Sequence, residues 1–188
     1  QNLSPELQKN NSKIITSNTN LFFELKKGKC IGITGTKGKS TTSVLTYDVL
    51  SAHNLNVRLI GNIGNPALNY IENDTEDTIY VFEFSCHQLQ YFYNSLDFAI
   101  LLDIVPDHLD YYITFENYVL SKFNLIKYID KSGYIIYNAK SNVAKDLVSK
   151  INQDCHIYSY LPSEIIDLDR REMKLKGNHN LNNIWPIL

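Results

Sequence analysis

Four groups of residues in this chain have types and spacing that could do chemistry. The first is the run G-T-K-G-K-S-T at 35–41. A glycine turn followed by Lys-Ser at the head of a helix leaves bare backbone N–H groups and a helix N-terminus facing an anion. There Lys39 can reach outer phosphates and the Ser40 hydroxyl can hold a magnesium ion. The spacing is shorter than G-x-x-x-x-G-K-[ST], because Ile33 stands five residues before Gly38. The competing account is a Gly-Lys-rich turn with Ser40 as an ordinary N-cap. A strand pattern before the turn and a helix pattern after it favour the phosphate cradle.

The second group is Glu83, which interrupts the apolar run Ile79 to Phe84. In a strand buried on both faces, a lone carboxylate is costly unless paired, protonated or bound to metal. On an edge strand it would simply face water. The third is Asp103, Asp107, His108 and Asp110, delivered into a loop by the strong apolar run Ala99 to Val105. Carboxylates and an imidazole at a strand end suit a divalent cation. They equally suit a capped turn with a surface histidine. The fourth is Lys122. Phe115, Tyr118, Val119 and Ile126 form a helical apolar stripe, and Lys122 takes a slot in it. It either snorkels out past the core edge or is held among apolar groups with a lowered pKa. A partly neutral amine can react with carbon dioxide to give a carbamate, which is a metal ligand.

Positioning these groups requires strands and helices in alternation. Strands are predicted at 29–33, 57–61, 78–84, 97–104, 133–137 and 155–160. Helices are predicted at 40–53, with Val44, Leu45, Val49 and Leu50 on its packed side, and at 65–71, 87–93, 115–130, 140–150 and 179–188. Residues 1–28 read as a linker, a short strand at Ile14-Ile15 and a short amphipathic helix. The pattern implies an α/β domain, a mainly parallel sheet flanked by helices. Ligands of such sheets sit at the carboxyl ends of the strands.

Composition narrows the function classes. The chain has 188 residues, 44% hydrophobic and 20% charged, as soluble globular domains do. A net charge of −2 gives no electrostatic basis for nucleic-acid binding. No apolar run reaches the length of a membrane span, and the start lacks a signal-peptide pattern. Cys30, Cys86 and Cys155 are isolated, which fits a reducing, cytoplasmic compartment rather than a disulfide scaffold. The chain begins at Gln1 and stops inside a helical pattern, so it is expected to be part of a longer protein.

Taken together, these motifs resemble the central ATP-binding domain of the Mur ligases, enzymes that extend the peptide of the bacterial wall precursor. The markers are G-T-K-G-K-S-T at 35–41, G-N-I-G-N-P-A-L at 61–68, E-F-S-C-H-Q-L at 83–89, D-H-L-D at 107–110, Tyr118 with Lys122, and G-N-H-N-L-N-N at 177–183. Within the family they look most like the D-glutamate-adding branch. Residues 1–24 then resemble the tail of an N-terminal domain and 25–188 the P-loop-type central domain, without a C-terminal domain.

The resemblance implies roles. Gly35, Thr36, Lys37, Gly38, Lys39, Ser40 and Thr41 would hold the ATP phosphates, with Asn180 and Asn183 near the adenine. Ser40 and Glu83 would bind one magnesium ion. His108 and a carbamylated Lys122 would attend a second metal or position the reacting carboxylate. Asn62, Ser85 and Gln88 would touch the substrate, UDP-muramoyl-alanine, to which D-glutamate is added in peptidoglycan synthesis. The implied protein is a monomer, and a chain lacking two of three domains would not turn over alone. Some positions depart from the pattern: Lys37 replaces the usual Asn, Asp103 replaces an Asn, and Cys86-His87 replaces Ser-Phe. The stretch between Asn138 and Gly177 is short, which puts an outer hairpin in doubt. The alternatives are another branch of the family, one adding a diamino acid, or an ATP-binding module without ligase activity.

Overall fold

Strand and helix alternate because the apolar pattern switches between unbroken runs and one-sided stripes. The computed structural model describes residues 16–161 and Pro186. The chain enters through helix α1 (Asn18–Leu25), whose Ser17 cap accepts from Asn20 N at 3.1 Å. Then come β1 (Lys29–Thr34), α2 (Lys39–Ala52), β2 (Val57–Gly61), a 3₁₀ segment (Ala67–Asn73) and β3 (Ile79–Glu83). A single turn, α3 (Cys86–Leu89), leads to β4 (Phe98–Leu101), a second single turn α4 (Leu109–Tyr112) and the longer α5 (Phe115–Lys127). The described part closes with β5 (Tyr134–Asn138), α6 (Asn142–Ser149) and β6 (His156–Tyr160).

All six strands are parallel, in the order β2-β3-β1-β4-β5-β6. The α/β class and the six strands predicted from residue 29 onward are therefore observed. Strand β1 lies between β3 and β4, with Ile33 opposite Glu83 and Thr34 opposite Leu101. The chain crosses from one side of β1 to the other between β3 and β4. That reversal opens a crevice at the carboxyl end of β1, where open α/β sheets bind ligands.

The two sheet faces carry different cores. One is aromatic, with Phe22 and Phe23 of α1 packed against Tyr80, Phe82 and Phe84. The other holds Ile33, Val57, Val81, Ile100 and Leu102 under Tyr47 and Leu50 of α2. Strand alternation puts Glu83 on the face of Val81, the α2 side.

Several expectations need correction. Val44 and Val49 are each 41% exposed, whereas Thr42, Ser43 and Thr46 are buried. The helix turns small hydroxyl side chains toward the sheet, and Thr46 Oγ1 is satisfied by the Thr42 carbonyl at 2.8 Å, one helical turn back. The helix predicted at 87–93 is only the turn Cys86–Leu89, and the one at 65–71 is a 3₁₀ segment two residues further on. The loop after β4 contains the helical turn α4, with His108 at its N-cap. The Ile14-Ile15 strand, the helix at 179–188, Asn180, Asn183 and the outer hairpin lie outside the described residues.

Candidate functional site

The glycine turn joins β1 to α2 at the sheet's switch point. Gly38 is the N-cap of α2 with φ +86°, a left-handed conformation that a side chain would strain. Ser40 is therefore inside the helix, not its cap, and its side chain is exposed. That removes the plain N-cap account of this serine. The turn is held from below: Thr36 N donates to Asp103 O at 2.8 Å, and Val105 N donates to Thr36 Oγ1 at 3.0 Å. Lys39 Nζ donates to Thr36 O at 2.9 Å, folding the amine over the turn. Lys37 is exposed.

Glu83 ends β3 beside this turn and is 1% exposed. Its Oε1 accepts from Asn62 Nδ2 at 3.0 Å, while Oε2 is buried with no hydrogen-bond partner. An orphaned carboxylate oxygen in a buried place is expensive. A divalent cation, with the Ser40 hydroxyl at the head of the adjacent helix, fits that oxygen by charge and by donor type.

Lys122 reaches the same turn from α5. Its amine is fully buried, at 1% exposure, and donates to Gly35 O at 2.9 Å and Thr34 Oγ1 at 3.4 Å. It also lies 4.7 Å from the centre of the Tyr118 ring. Burial first, and the Lys39 charge second, lower its pKa from 10.5 to about 8. The snorkelling account fails, and the buried amine of the sharper account is what the fold holds. The Tyr118 hydroxyl pairs with Thr36 Oγ1 at 3.1 Å.

His108 sits beyond Tyr118, ring centres 6.2 Å apart, with φ +52°, a conformation rare for a residue with a side chain. Its backbone N–H donates to Asp107 Oδ1 at 2.9 Å, and its ring nitrogen lies 3.8 Å from Asp107 Oδ2. The side chain is half exposed. His87 stands 5.6 Å away, ring to ring, and 4.7 Å from Tyr111. Burial and the His108 imidazole lower the pKa of His87.

Ser85 and Gln88 form a reciprocal cap on α3: Gln88 N donates to Ser85 Oγ at 3.2 Å and Ser85 N to Gln88 Oε1 at 2.9 Å. Gln88 also lines a cleft of about 160 Å³ with Gly61, Pro66, Leu68 and Thr19. A larger cleft of about 440 Å³, lined by Tyr111, Ile113, Asn117 and Leu120, holds none of the candidate residues. Volume is a poor guide here, because the glycine turn, Lys122 and Glu83 lie together at the strand ends, outside that cleft.

The fold thus brings Lys39, Lys122, Thr36 and Tyr118 into contact around one turn, with Glu83 on the adjacent strand and His108 beyond Tyr118. Asp103 contributes its backbone while its side chain is exposed. Among the described residues, no three of His, Cys, Asp or Glu converge as a metal cluster. A metal site here would mix hydroxyl, carboxylate and lysine-derived ligands. Two participants escaped sequence reasoning: Thr34 as a partner of the amine, and Asn62 as the partner of Glu83. Tyr118, paired with Lys122 as a marker in the sequence, does lie against that amine.

Comparison with known proteins gives consistent results. The family profile described as Mur ligase middle domain matches residues 33–176. A protein named UDP-N-acetylmuramoylalanine–D-glutamate ligase from Caldicellulosiruptor bescii is 31% identical over 179 residues, 84% of this chain and 39% of that protein. A protein of the same name from Streptococcus mutans is 31% identical over 190 residues, 92% of this chain and 42% of that protein. The chain therefore spans about two fifths of the length of these relatives. Among solved structures, a UDP-N-acetylmuramate:L-alanyl-gamma-D-glutamyl-meso-diaminopimelate ligase from Neisseria meningitides superposes with TM-score 0.68 at 15% identity, covering 90% of this chain and 63% of that one. A MurF ligase from Thermotoga maritima in complex with ADP gives 0.58 at 21% identity, covering 79% and 38%. At those identities the likeness shows the fold. No helix among the described residues is long and apolar enough to cross a membrane.

Proposed function

This chain belongs to the Mur ligase family, as a middle domain, and from that premise we propose that it carries the ATP and metal machinery of a D-glutamate-adding ligase. The reaction is ATP-driven amide formation on UDP-N-acetylmuramoyl-alanine in peptidoglycan precursor synthesis. The observation that carries the reading is the convergence on one glycine turn of a buried lysine, a second lysine folded over the turn and a buried carboxylate with an unused oxygen. A module that only bound nucleotide would need the turn but not Glu83, His108 and Lys122. The choice of D-glutamate rests on the relatives of that name.

The substrate carboxylate takes the γ-phosphoryl group of ATP and becomes an acyl phosphate. The amino group of D-glutamate then attacks the acyl carbon, and phosphate leaves. Carboxylate and triphosphate are both anions, so bringing them together is the first difficulty. Lys39 and the N–H groups of residues 35–41 spread the β,γ-phosphate charge. Ser40 and Glu83 would hold a magnesium ion, which supplies charge neutralisation at the transferring phosphoryl group. Lys122, whose pKa of about 8 leaves a minor neutral fraction at pH 7, is the amine of this site fit to become a carbamate. As a carbamate, with His108, it would serve a second metal. Asn62, Ser85 and Gln88 would border the muramoyl substrate, and Asn180 and Asn183 the adenine.

The test is an amino-acid panel on the protein that carries this chain, with UDP-muramoyl-alanine and ATP. D-glutamate-dependent phosphate release is expected. Release driven instead by a diamino acid would overturn the branch, and no amino-acid dependence at all would overturn the ligase reading.

A further inference from the structure

Asn62 is fastened to Glu83 at two points. Its backbone N–H donates to Glu83 O at 2.9 Å, and its side-chain Nδ2 donates to Glu83 Oε1 at 3.0 Å. The residue before it, Gly61, has φ +107°, and a Cβ there would collide with the Glu83 carbonyl oxygen. The end of β2 is thus closed directly onto the end of β3, in register with Gly61 opposite Glu83. Asn62 is exposed, so packing does not hold its side chain; the carboxylate does.

A carboxylate offers two oxygens, and only one is engaged here. The amide donates to Oε1 and leaves Oε2 buried and unpartnered. An amide neither gains nor loses a proton over the ordinary pH range, so it supplies this hydrogen bond without competing for the cation's charge. Hydrogen bonds of this kind orient metal-binding carboxylates and tune their affinity.

We propose that Asn62 is a positioning residue for the metal-binding carboxylate, fixing Glu83 so that Oε2 alone is presented to the cation. The proposal rests on the reading that Glu83 binds magnesium. The Asn62 amide has two N–H donors and spends one on Glu83. The other remains for a ligand in the adjoining cleft, so one side chain would serve the metal carboxylate and the substrate side together.

The probe is Mn²⁺, titrated into the full chain in the presence of ADP and followed by the EPR signal of free Mn²⁺. Three variants are compared: Glu83→Gln, Asn62→Ala, and Asn62→Leu, which keeps the side chain's size without its donors. Asn62→Ala and Asn62→Leu are expected to weaken Mn²⁺ binding by about 10- to 100-fold, with metal-free ADP affinity unchanged. If Glu83→Gln weakens Mn²⁺ binding but a folded Asn62 variant stays within about threefold of wild type, the Asn62 inference is wrong. If Glu83→Gln itself changes nothing, the magnesium reading is wrong. Should both Asn62 variants unfold, the wild-type side-chain amide resonance decides: it must shift on Mg²⁺ saturation, and an unmoved resonance overturns the proposal.

Discussion

Strand β3 has a buried carboxylate near each end, and the two differ in the donors they receive. Before the strand, Asp74 closes the 3₁₀ segment against the entrance to β1. Its Oδ2 accepts from Lys27 N and from Gly28 N, the latter at 3.3 Å. Burial opposes ionisation, yet these backbone donors hold its pKa below the usual 3.8, while its Oδ1 has no hydrogen-bond partner. After the strand, Glu83 also keeps a bare oxygen, but its other oxygen receives a single side-chain amide and no backbone donor. Backbone donors are permanent, so Asp74 is an anion built into the fold. Glu83 has no such backbone donor on its carboxylate, and on the proposed reading a cation takes that place. Neither burial nor one unpartnered oxygen marks function by itself; the two acids are separated by the kind and number of their donors.

The sharpest way to break this contrast is to neutralise each acid in turn. Glu83→Gln should cut ligase turnover by about 100- to 1,000-fold and leave thermal stability equal or higher, because a poorly compensated charge is removed. Asp74→Asn should do the reverse. It loses charge-assisted bonds to two backbone donors, so stability should fall by about 2–3 kcal/mol, with turnover per folded molecule unchanged. Unfolding of Glu83→Gln together with a catalytic defect in Asp74→Asn would reverse the assignment of the two ends. The low pKa of Asp74 adds a pH signature. Its stabilisation is complete above the unfolded value of 3.8 and is lost as pH falls through the folded value, and Asp74→Asn should lack that acid-limb loss.

Lys122 extends the contrast to a cation. Its folded pKa of about 8 lies below the unfolded 10.5, so between those values the unfolded chain binds more protons. Lys122 should therefore contribute a rise in stability from pH 8 toward pH 10.5 of roughly 2–4 kcal/mol, set against the fall contributed by the Cys30 thiol, whose pKa burial raises. Lys122→Met should abolish that rise, lose turnover by about 100-fold, and fold at least as well at pH 7. Urea unfolding at pH 7, 8.5 and 10 measures it. A variant with the same alkaline rise as wild type would show that the amine is not the group being titrated.

Much of this was legible in the sequence, for reasons that separate what local pattern can reach from what it cannot. The six strands follow from apolar runs long enough to be buried on both faces. Glu83 stood out because it interrupts such a run, and Lys122 because it occupies a slot in a helical apolar stripe. The packed face of α2 was misread because Val44 and Val49 look like core residues. The helix instead presents Thr42, Ser43 and Thr46, small side chains of which Thr46 is satisfied by a carbonyl of its own helix. Residue type alone does not reveal that. The Asn62–Glu83 hydrogen bond joins residues 21 positions apart on neighbouring strands. Only the sheet order brings them together, and no periodicity encodes that pairing.

The smallest effect expected at the site tests whether the glycine turn is held by Tyr118 or merely rests on it. The phenol contributes one hydrogen bond, to Thr36 Oγ1 at 3.1 Å, while its ring lies 4.7 Å from the Lys122 amine. Tyr118→Phe deletes the first contact and keeps the second. Thr36 Oγ1 retains its partners at Val105, O and N each at 3.0 Å, so no polar atom is stranded. Stability should fall by only about 0.5–1.5 kcal/mol, a drop of roughly 2–4 °C per kcal/mol in Tm for a chain of this size. ATP affinity should weaken by about two- to tenfold, because the turn loses one of the bonds that fix Thr36, and the alkaline rise attributed to Lys122 should persist. If ATP affinity does not move at all, the turn is held by Asp103 and Val105 alone, and Tyr118 serves only the buried amine.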